Sequence, residues 1–141
     1  MDINKQPGIN FKGIILAEER FWRLPNAPID SSVNVQFEFS AQKNETNGNY
    51  YAELKTILKM LHERNEVLSL ECTFVGIFSY IKREENINMD DFIKYNCPAL
   101  MLPYVREHIS SVTLKAGMKP VLLAPINIIA LLNKKKEEEH E

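Results

Sequence analysis

The stretch VNVQFEF, residues 33–39, alternates apolar and polar side chains without interruption. A period of two is typical of a β-strand, because successive side chains point to opposite faces. One face would carry the apolar set Val33, Val35, Phe37 and Phe39. A strand of this kind needs hydrogen-bonded neighbours and a second layer over its apolar face. The pattern therefore predicts a sheet that is half buried.

The residues after this strand predict that the sheet is antiparallel. NETNGN, residues 44–49, contains an Asn-Gly step, which suits a hairpin turn because both residues tolerate positive φ. Residues 50–65 are ambiguous, since their apolar residues fit either a helix or one face of a strand. Propensity alone favours helix, but the preceding turn and the β-branched, aromatic run in residues 64–80 favour another strand. We predict a meander of strands.

The C-terminal half predicts helices. One helical stripe contains Leu102, Val105, Ile109 and Val112, and Gly117 suits the position just after a helix end. Pro103 is acceptable in a first turn, so we expect a break or kink at Cys97-Pro98 with the long helix after it. Residues 128–136 predict a last, shorter helix. The expected class is α+β, a four-stranded antiparallel sheet with a long helix and a shorter C-terminal helix.

Length and composition indicate one folded domain. The chain has 141 residues, 45% hydrophobic and 26% charged, which is the profile of a globular protein. We expect a single domain over residues 1–141, with flexible ends at 1–10 and 133–141. The net charge of −2 provides no basic field for phosphates, so nucleic acid is not an expected partner.

No run of about 18 apolar residues and no signal-peptide pattern occurs in the sequence, so we expect no membrane span. The two cysteines, Cys72 and Cys97, form neither a CxxC pair nor a metal-ligand spacing, which suits a reducing, cytoplasmic compartment. We expect no metal and no cofactor, since no glycine-rich phosphate loop occurs either.

An enzyme is the main rival interpretation. Cys72, Cys97, His62 and His108 could in principle supply a thiolate and a base. Their spacing does not indicate a nucleophile with an oriented base, and free cysteines are usually small buried hydrophobes. We therefore expect a non-enzyme, and native alkylation of Cys97 would discriminate between the two interpretations.

Several motifs together resemble the SecB export-chaperone family. They are YNCPALMLPYVREHISSVTLKAG at 95–117, PVLLAPINIIALL at 120–132, LPNAP at 24–28 and VGIFSY at 75–80. The resemblance implies a homotetramer, built as a dimer of dimers, that holds unfolded or presecretory polypeptides in apolar grooves without ATP. It also implies possible delivery of these clients to the SecA motor. The alternative within the family is a chaperone dedicated to one client, such as an antitoxin.

The resemblance also implies site residues. The client-binding set would be Trp22, Val33, Val35, Phe37, Phe39, Leu131 and Leu132. Candidates for SecA contact are Glu19 and Glu71, whereas Arg23 stands where the family has an acidic residue, and the short tail has lysines before its acids. A charge reversal at such an interface lowers affinity. A structural oligomer without a client groove is the plainer alternative.

Overall fold

The computed structural model describes residues 5–6, 9–44, 46–80 and 89–124. This part of the chain contains β1 Lys5–Gln6, β2 Ile9–Arg23, β3 Ser32–Lys43, β4 Asn49–His62, β5 Asn65–Tyr80 and α1 Met89–Lys115. Four long strands and one long helix confirm the predicted α+β class, and the two-residue strand β1 is an addition to it. The predicted last helix at 128–136 lies outside the described residues.

Neighbouring strands are all antiparallel, in the order β1-β2-β5-β4-β3 across the sheet. Strands β3, β4 and β5 form the predicted meander. Strand β2 pairs with β5 and not with β3, so the chain must cross one end of the sheet between Arg23 and Ser32. We call residues 24–31 the crossover connection. It spans three strand spacings, about 14 Å.

Two tight turns join the meander strands. Between β3 and β4, Asn44 Oδ1 accepts a hydrogen bond from the Thr46 N–H at 2.9 Å, and Gly48 has a φ of 73°. Between β4 and β5, Glu63 and Arg64 have φ values of 51° and 68°. The first turn uses glycine as the sequence predicts, whereas the second places two side-chain-bearing residues in the left-handed region.

The helix covers one face of the sheet, which we call the helix-side face; the opposite one is the outer face. Burial along β4 alternates with period two, which confirms the strand prediction. The buried β4 residues on the helix side are Ala52, Leu54, Thr56, Leu58 and Met60. Leu68, Leu70 and Cys72 of β5 and Met101, Val105 and Ile109 of α1 complete the centre of this core.

Two irregularities in β2 decide which of its side chains face the helix. The register with β5 shifts between Phe11 and Gly13 and again between Leu16 and Glu18. Directly opposed residues share a face, and Leu16 pairs with the buried Phe74 on the helix side. Because each extra residue reverses the alternation, residues 13–16 point to the faces opposite to those of an unbroken strand, and the second shift restores the original alternation from Glu18 onward.

The sequence predicts a break or kink at Cys97-Pro98, and the break is wrong. Helix α1 runs without interruption from Met89 to Lys115 and contains both Pro98 and Pro103. Each proline removes one backbone hydrogen bond, but burial of Cys97, Met101 and Leu102 against the sheet stabilises the helix on both sides of the loss.

The end of α1 is as the sequence predicts. Gly117 has a φ of 75°, its N–H donates to Leu114 O at 3.0 Å, and the Met118 N–H donates to Thr113 O at 3.0 Å. This pair of bonds is a Schellman motif, for which a residue with positive φ is needed. The chain consequently turns back at Gly117.

Candidate functional site

Three exposed apolar side chains lie where the crossover connection joins the sheet. Leu24 and Ile29 in the connection are 41% and 62% exposed, and Val33 at the beginning of β3 is 45% exposed. We call Leu24, Ile29 and Val33 the connection surface. Leu24 and Ile29 are not among the site residues that the sequence predicts. Their signal was present, since apolar residues flanked by prolines have little regular structure through which to enter a core.

The backbone of the connection is folded on itself and on the sheet. The Leu24 N–H donates to Val67 O at 2.8 Å and the Ala27 N–H to Leu24 O at 3.2 Å, while Ser31 Oγ donates to Pro28 O at 2.7 Å. Ala27 and Ser31 are buried. The two small residues Ala27 and Ser31 therefore point inward, whereas the larger apolar side chains of the connection lie outside.

The apolar row of β3 does not behave as one surface. All four residues lie on the helix-side face, as their pattern predicts, but Phe37 is only 4% exposed and belongs to the core. Val35 and Phe39 are partly buried against that core. Of the row, Val33 is the residue that solvent reaches most easily, because it lies at the end of the sheet.

Trp22 lies on the other side of the sheet. It pairs with Ser69, which pairs with Lys59, and this row belongs to the outer face. Trp22 is 44% exposed there, so the structure does not bring it together with Val33 on one face. Leu131 and Leu132 lie outside the described residues.

Arg23 points to the helix side and contacts the connection. Its Nη1 donates to Leu24 O at 2.9 Å and Pro25 O at 3.1 Å, and its Nη2 donates to Ala27 O at 3.4 Å and to Met118 Sδ at 3.4 Å. The side chain therefore joins the connection to the first residues after α1.

The segment after α1 is fixed along the helix. The Val121 N–H donates to Thr113 Oγ1 at 3.0 Å, and that hydroxyl in turn donates to Ile109 O at 2.8 Å. Arg106 Nε donates to Leu123 O further along. Leu122, between these anchors, is 80% exposed, so this segment also presents an apolar side chain to solvent.

The two acidic candidates lie on opposite faces of the sheet. Glu19 pairs with the buried Cys72 and points to the helix, where its Oε1 lies 2.6 Å from His108 Nε2. Glu71 pairs with Arg20 on the outer face. The pairing of β2 with β5 after the second register shift places Glu19 on the helix side and Glu71 opposite Arg20 on the outer face. The structure therefore does not place the two carboxylates on a common surface.

Glu71 borders a shallow depression of about 250 Å³ on the outer face. Its other lining residues are Asn34, Gln36, Ile57 and Lys59. The Lys59 Nζ lies 2.7 Å from Glu66 Oε1, and this hydrogen bond raises the pKa of Lys59. The depression is thus lined by mixed charges and amides, not by acids alone.

The cysteines have the properties of buried structural residues. Burial raises the pKa of Cys97 to about 12. Burial, with a smaller effect from the negative charge of Glu19, raises the pKa of Cys72 to about 11. Both thiols are therefore protonated at neutral pH and poor nucleophiles. Within the described residues, no group of three or more His, Cys, Asp or Glu could hold a metal ion.

The fold and its surfaces define an α+β protein that presents apolar side chains at one end of an antiparallel sheet. No helix in the described part of the chain is long and apolar enough to cross a membrane. The family model described as "Preprotein translocase subunit SecB" matches residues 19–139. The chain belongs to the SecB family, whose members are chaperones and not enzymes.

Individual relatives agree with the family match. The chain is 36% identical over 115 residues to a protein-export protein SecB of Neisseria gonorrhoeae, covering 78% of this chain and 74% of the relative. It is 29% identical over 142 residues to that of Chromobacterium violaceum, covering 96% and 93%. A solved SecB-like chaperone of Mycobacterium tuberculosis, in complex with a peptide from an antitoxin, is 16% identical with a TM-score of 0.70, covering 84% and 87%. That last similarity shows the fold.

Proposed function

We propose that this chain is an ATP-independent chaperone that holds unfolded or presecretory polypeptides in the cytoplasm. The observation that carries the proposal is the connection surface, where Leu24, Ile29 and Val33 remain exposed beside a fully formed core. Apolar attraction is not directional, so such a surface accepts many sequences. Folded proteins bury their apolar side chains and would be poor ligands.

Several connection surfaces acting together would give useful affinity. Burying one client side chain of the size of leucine contributes about 1.5–3 kcal/mol before ordering costs. We propose a homotetramer, a dimer of dimers, in which one extended client meets several such surfaces and gains effective concentration. The exposed Tyr104 and Leu114 of α1 favour an assembly in which other copies cover the helix.

Binding of a permanently unfolded protein tests the proposal. Fluorescently labelled α-lactalbumin, reduced and carboxymethylated, would be titrated with the chaperone in the absence of nucleotide, and anisotropy would report the complex. Native α-lactalbumin serves as the matched control because it has the same sequence in a folded state. Equal binding of both forms, or of neither, would contradict a chaperone function. Sedimentation velocity of the free protein tests the tetramer.

A chaperone dedicated to one client is the second candidate. It is favoured by the fold's similarity to a SecB-like chaperone that was solved with an antitoxin peptide. Purification of the tagged protein from its own cells, with mass spectrometry of the eluate, separates the two. Many secretory precursors would support general holding, and one dominant small partner would support a dedicated role.

Delivery to SecA is a separate proposal, and it rests on Glu71. Of the two candidates, Glu71 is the one on the outer face, while Glu19 is bonded to His108. If the outer face docks SecA through charge, Glu71→Lys should reduce SecA binding measured by surface plasmon resonance. Glu53→Lys, the same change at an exposed residue of the same face, is the control. Equal effects of both variants would count against a specific role of Glu71.

A further inference from the structure

Both terminal nitrogens of the Arg23 guanidinium donate hydrogen bonds. Its two terminal nitrogens carry four hydrogens, and four acceptors lie around them: the carbonyls of Leu24, Pro25 and Ala27 and the sulfur of Met118. No described carboxylate lies within ion-pair distance of it. The charge of Arg23 is therefore balanced by backbone dipoles, and its position depends on the fold of the connection.

The connection in turn depends on Arg23. Two of its eight residues, Pro25 and Pro28, have no N–H to donate. Within residues 24–31, the backbone bonds are Ala27 N–H to Leu24 O and Ser31 N–H to Pro28 O, at 3.2 and 3.3 Å. Three of the connection's carbonyls converge on the one guanidinium. A planar fork reaches several acceptors at once, which a lysine ammonium cannot do with the same geometry.

Arg23 also links the connection to the C-terminal end of α1. The same Nη2 that donates to Ala27 O also donates to Met118 Sδ. Met118 directly follows Gly117, and its N–H makes one of the two hydrogen bonds of the Schellman motif. Among the described residues, no other hydrogen bond joins the connection to the segment after the helix. Arg23 is thus shared between two chain segments that both expose apolar residues.

We propose that Arg23 is a positioning residue for client binding: it holds the crossover connection against the end of α1 in the conformation that displays Leu24 and Ile29. This inference rests on the proposed chaperone function. It assigns Arg23 no contact with the client. Loss of the guanidinium would leave the strand intact, because Arg23 ends β2 and its backbone pairs with Leu68. The connection would then sample many conformations.

Three variants test the assignment. Arg23→Met keeps an unbranched apolar stem and removes the guanidinium with its donors. Arg23→Lys restores a charge with three donors. Arg20→Met is the matched control, since Arg20 lies on the same strand with its side chain 77% exposed and paired with Glu18 at 3.3 Å. Each variant would be titrated with labelled, reduced carboxymethylated α-lactalbumin, with sedimentation velocity and urea unfolding as checks of assembly and stability.

We expect Arg23→Met to weaken client binding about tenfold, because the connection surface would no longer be held in one conformation, with Arg23→Lys between it and the wild type. Hydrogen exchange should rise in residues 24–31 and 118–124 of Arg23→Met and stay unchanged in β4. Arg20→Met should behave as the wild type. A loss of binding together with general loss of protection would overturn the proposal, because it would show only a weaker fold.

A double-mutant cycle separates positioning from general stability. If Arg23 acts through the connection surface, Arg23→Met should have little further effect on client affinity once Ile29→Ser has removed an exposed apolar side chain. Additive losses would overturn the proposal. Equal affinity of wild type and Arg23→Met would also overturn it while leaving the chaperone function standing. A wild-type protein that binds no unfolded client would overturn the function itself, and the positioning role with it.

Discussion

Glu19 of β2 and His108 of α1 lie 2.6 Å apart, between Oε1 and Nε2, and join the helix to the sheet. The His108 ring also packs edge-on against Phe74, with ring centroids 5.4 Å apart. Both side chains are more than two thirds covered. A pair that is partly shielded from water contributes more than an exposed one, because solvent screens it less.

Breaking this pair should lower stability modestly. We expect Glu19→Gln or His108→Leu to lower the free energy of unfolding by about 1 kcal/mol, measured by urea denaturation at neutral pH. Glu18→Gln is the control, since the Glu18–Arg20 pair is 3.3 Å long and largely exposed. Its effect should be below about 0.5 kcal/mol. Equal losses in the two pairs would contradict the shielding argument.

The cysteines give a prediction about alkaline pH. The pKa values of Cys72 and Cys97 are raised from 9.0 to about 11 and about 12, chiefly by burial. The folded state therefore keeps protons that the unfolded state loses, so stability is complete below pH 9 and falls as pH rises through 11 to 12. The slope should be up to about 1.4 kcal/mol per pH unit for each thiol.

Urea unfolding between pH 8 and pH 11 measures that slope. The double variant Cys72→Ala, Cys97→Ala is the control, and it should show a flatter dependence even though the cavities lower its absolute stability. At pH 8 neither native thiol should react with iodoacetamide, and both should react in urea. Rapid alkylation of native Cys97 would instead support the interpretation of the protein as a thiol enzyme.

Gly76 marks a close approach between sheet and helix. A Cβ at this position would lie 2.8 Å from Phe78 Cε2 and 3.0 Å from Met101 Sδ. Gly76→Ala should therefore lower the free energy of unfolding by about 1–3 kcal/mol, since a packed core must shift to accept a methyl group. Gly13→Ala is the control, because no described atom lies within 4 Å of its added Cβ. Thermal and urea unfolding of both variants measure the two losses of stability, and equal losses would contradict the close approach at Gly76.

A substitution in the β4–β5 turn should raise the stability of the fold. Glu63 and Arg64 both occupy the left-handed region, where Asn and Gly are favoured. Replacing the pair by Asn-Gly should raise the free energy of unfolding by about 1 kcal/mol, as the strain of the two residues is relieved. The turn lies at the same end of the sheet as the crossover connection, since Leu61 pairs with Ser32 and Val67 O accepts the Leu24 N–H, so an anisotropy titration should accompany the stability measurement. Lower stability of this variant would show that the two side chains contribute contacts worth more than the strain.

Val33 and Phe37 should respond differently to the same substitution. Phe37 is buried, so Phe37→Ser should cost about 3–5 kcal/mol and compromise folding. Val33 is exposed, so Val33→Ser should leave the urea midpoint almost unchanged while reducing capture of unfolded α-lactalbumin. Anisotropy titrations at a temperature well below the unfolding transition provide the comparison. Unchanged capture by Val33→Ser would remove Val33 from the client surface.

Local patterns carried much of the fold prediction. The alternation at residues 33–39, the Asn-Gly step and Gly117 each concern neighbours within a few positions, and each is present in the structure as predicted. The ambiguous residues 50–62 form a strand because both flanking segments are strands that can pair with them. The helix through Pro98 was missed, since burial against the sheet outweighs a local penalty that sequence alone overstates.

The residues of the candidate site could be predicted from the sequence less completely than the fold. Exposure of Leu24 and Ile29 depends on how the crossover connection folds, and burial of Phe37 depends on what covers the middle of β3. Both are questions of packing between distant segments. Periodicity assigns a side chain to a face but does not say whether that face is covered at that point.

The sequence by itself determined the class of fold, the pairing partners within the meander, the end of the long helix and the family. The tertiary structure decided the faces of β2. The extra residue at the first register shift reverses the faces of residues 13–16, so that Ile14 and Leu16 point to the helix and Ile15 points away, and the extra residue at the second shift returns Glu19 and Arg23 to the helix side. A bulge forms in response to the partner strand, and that pairing is not encoded in the alternation of a single strand.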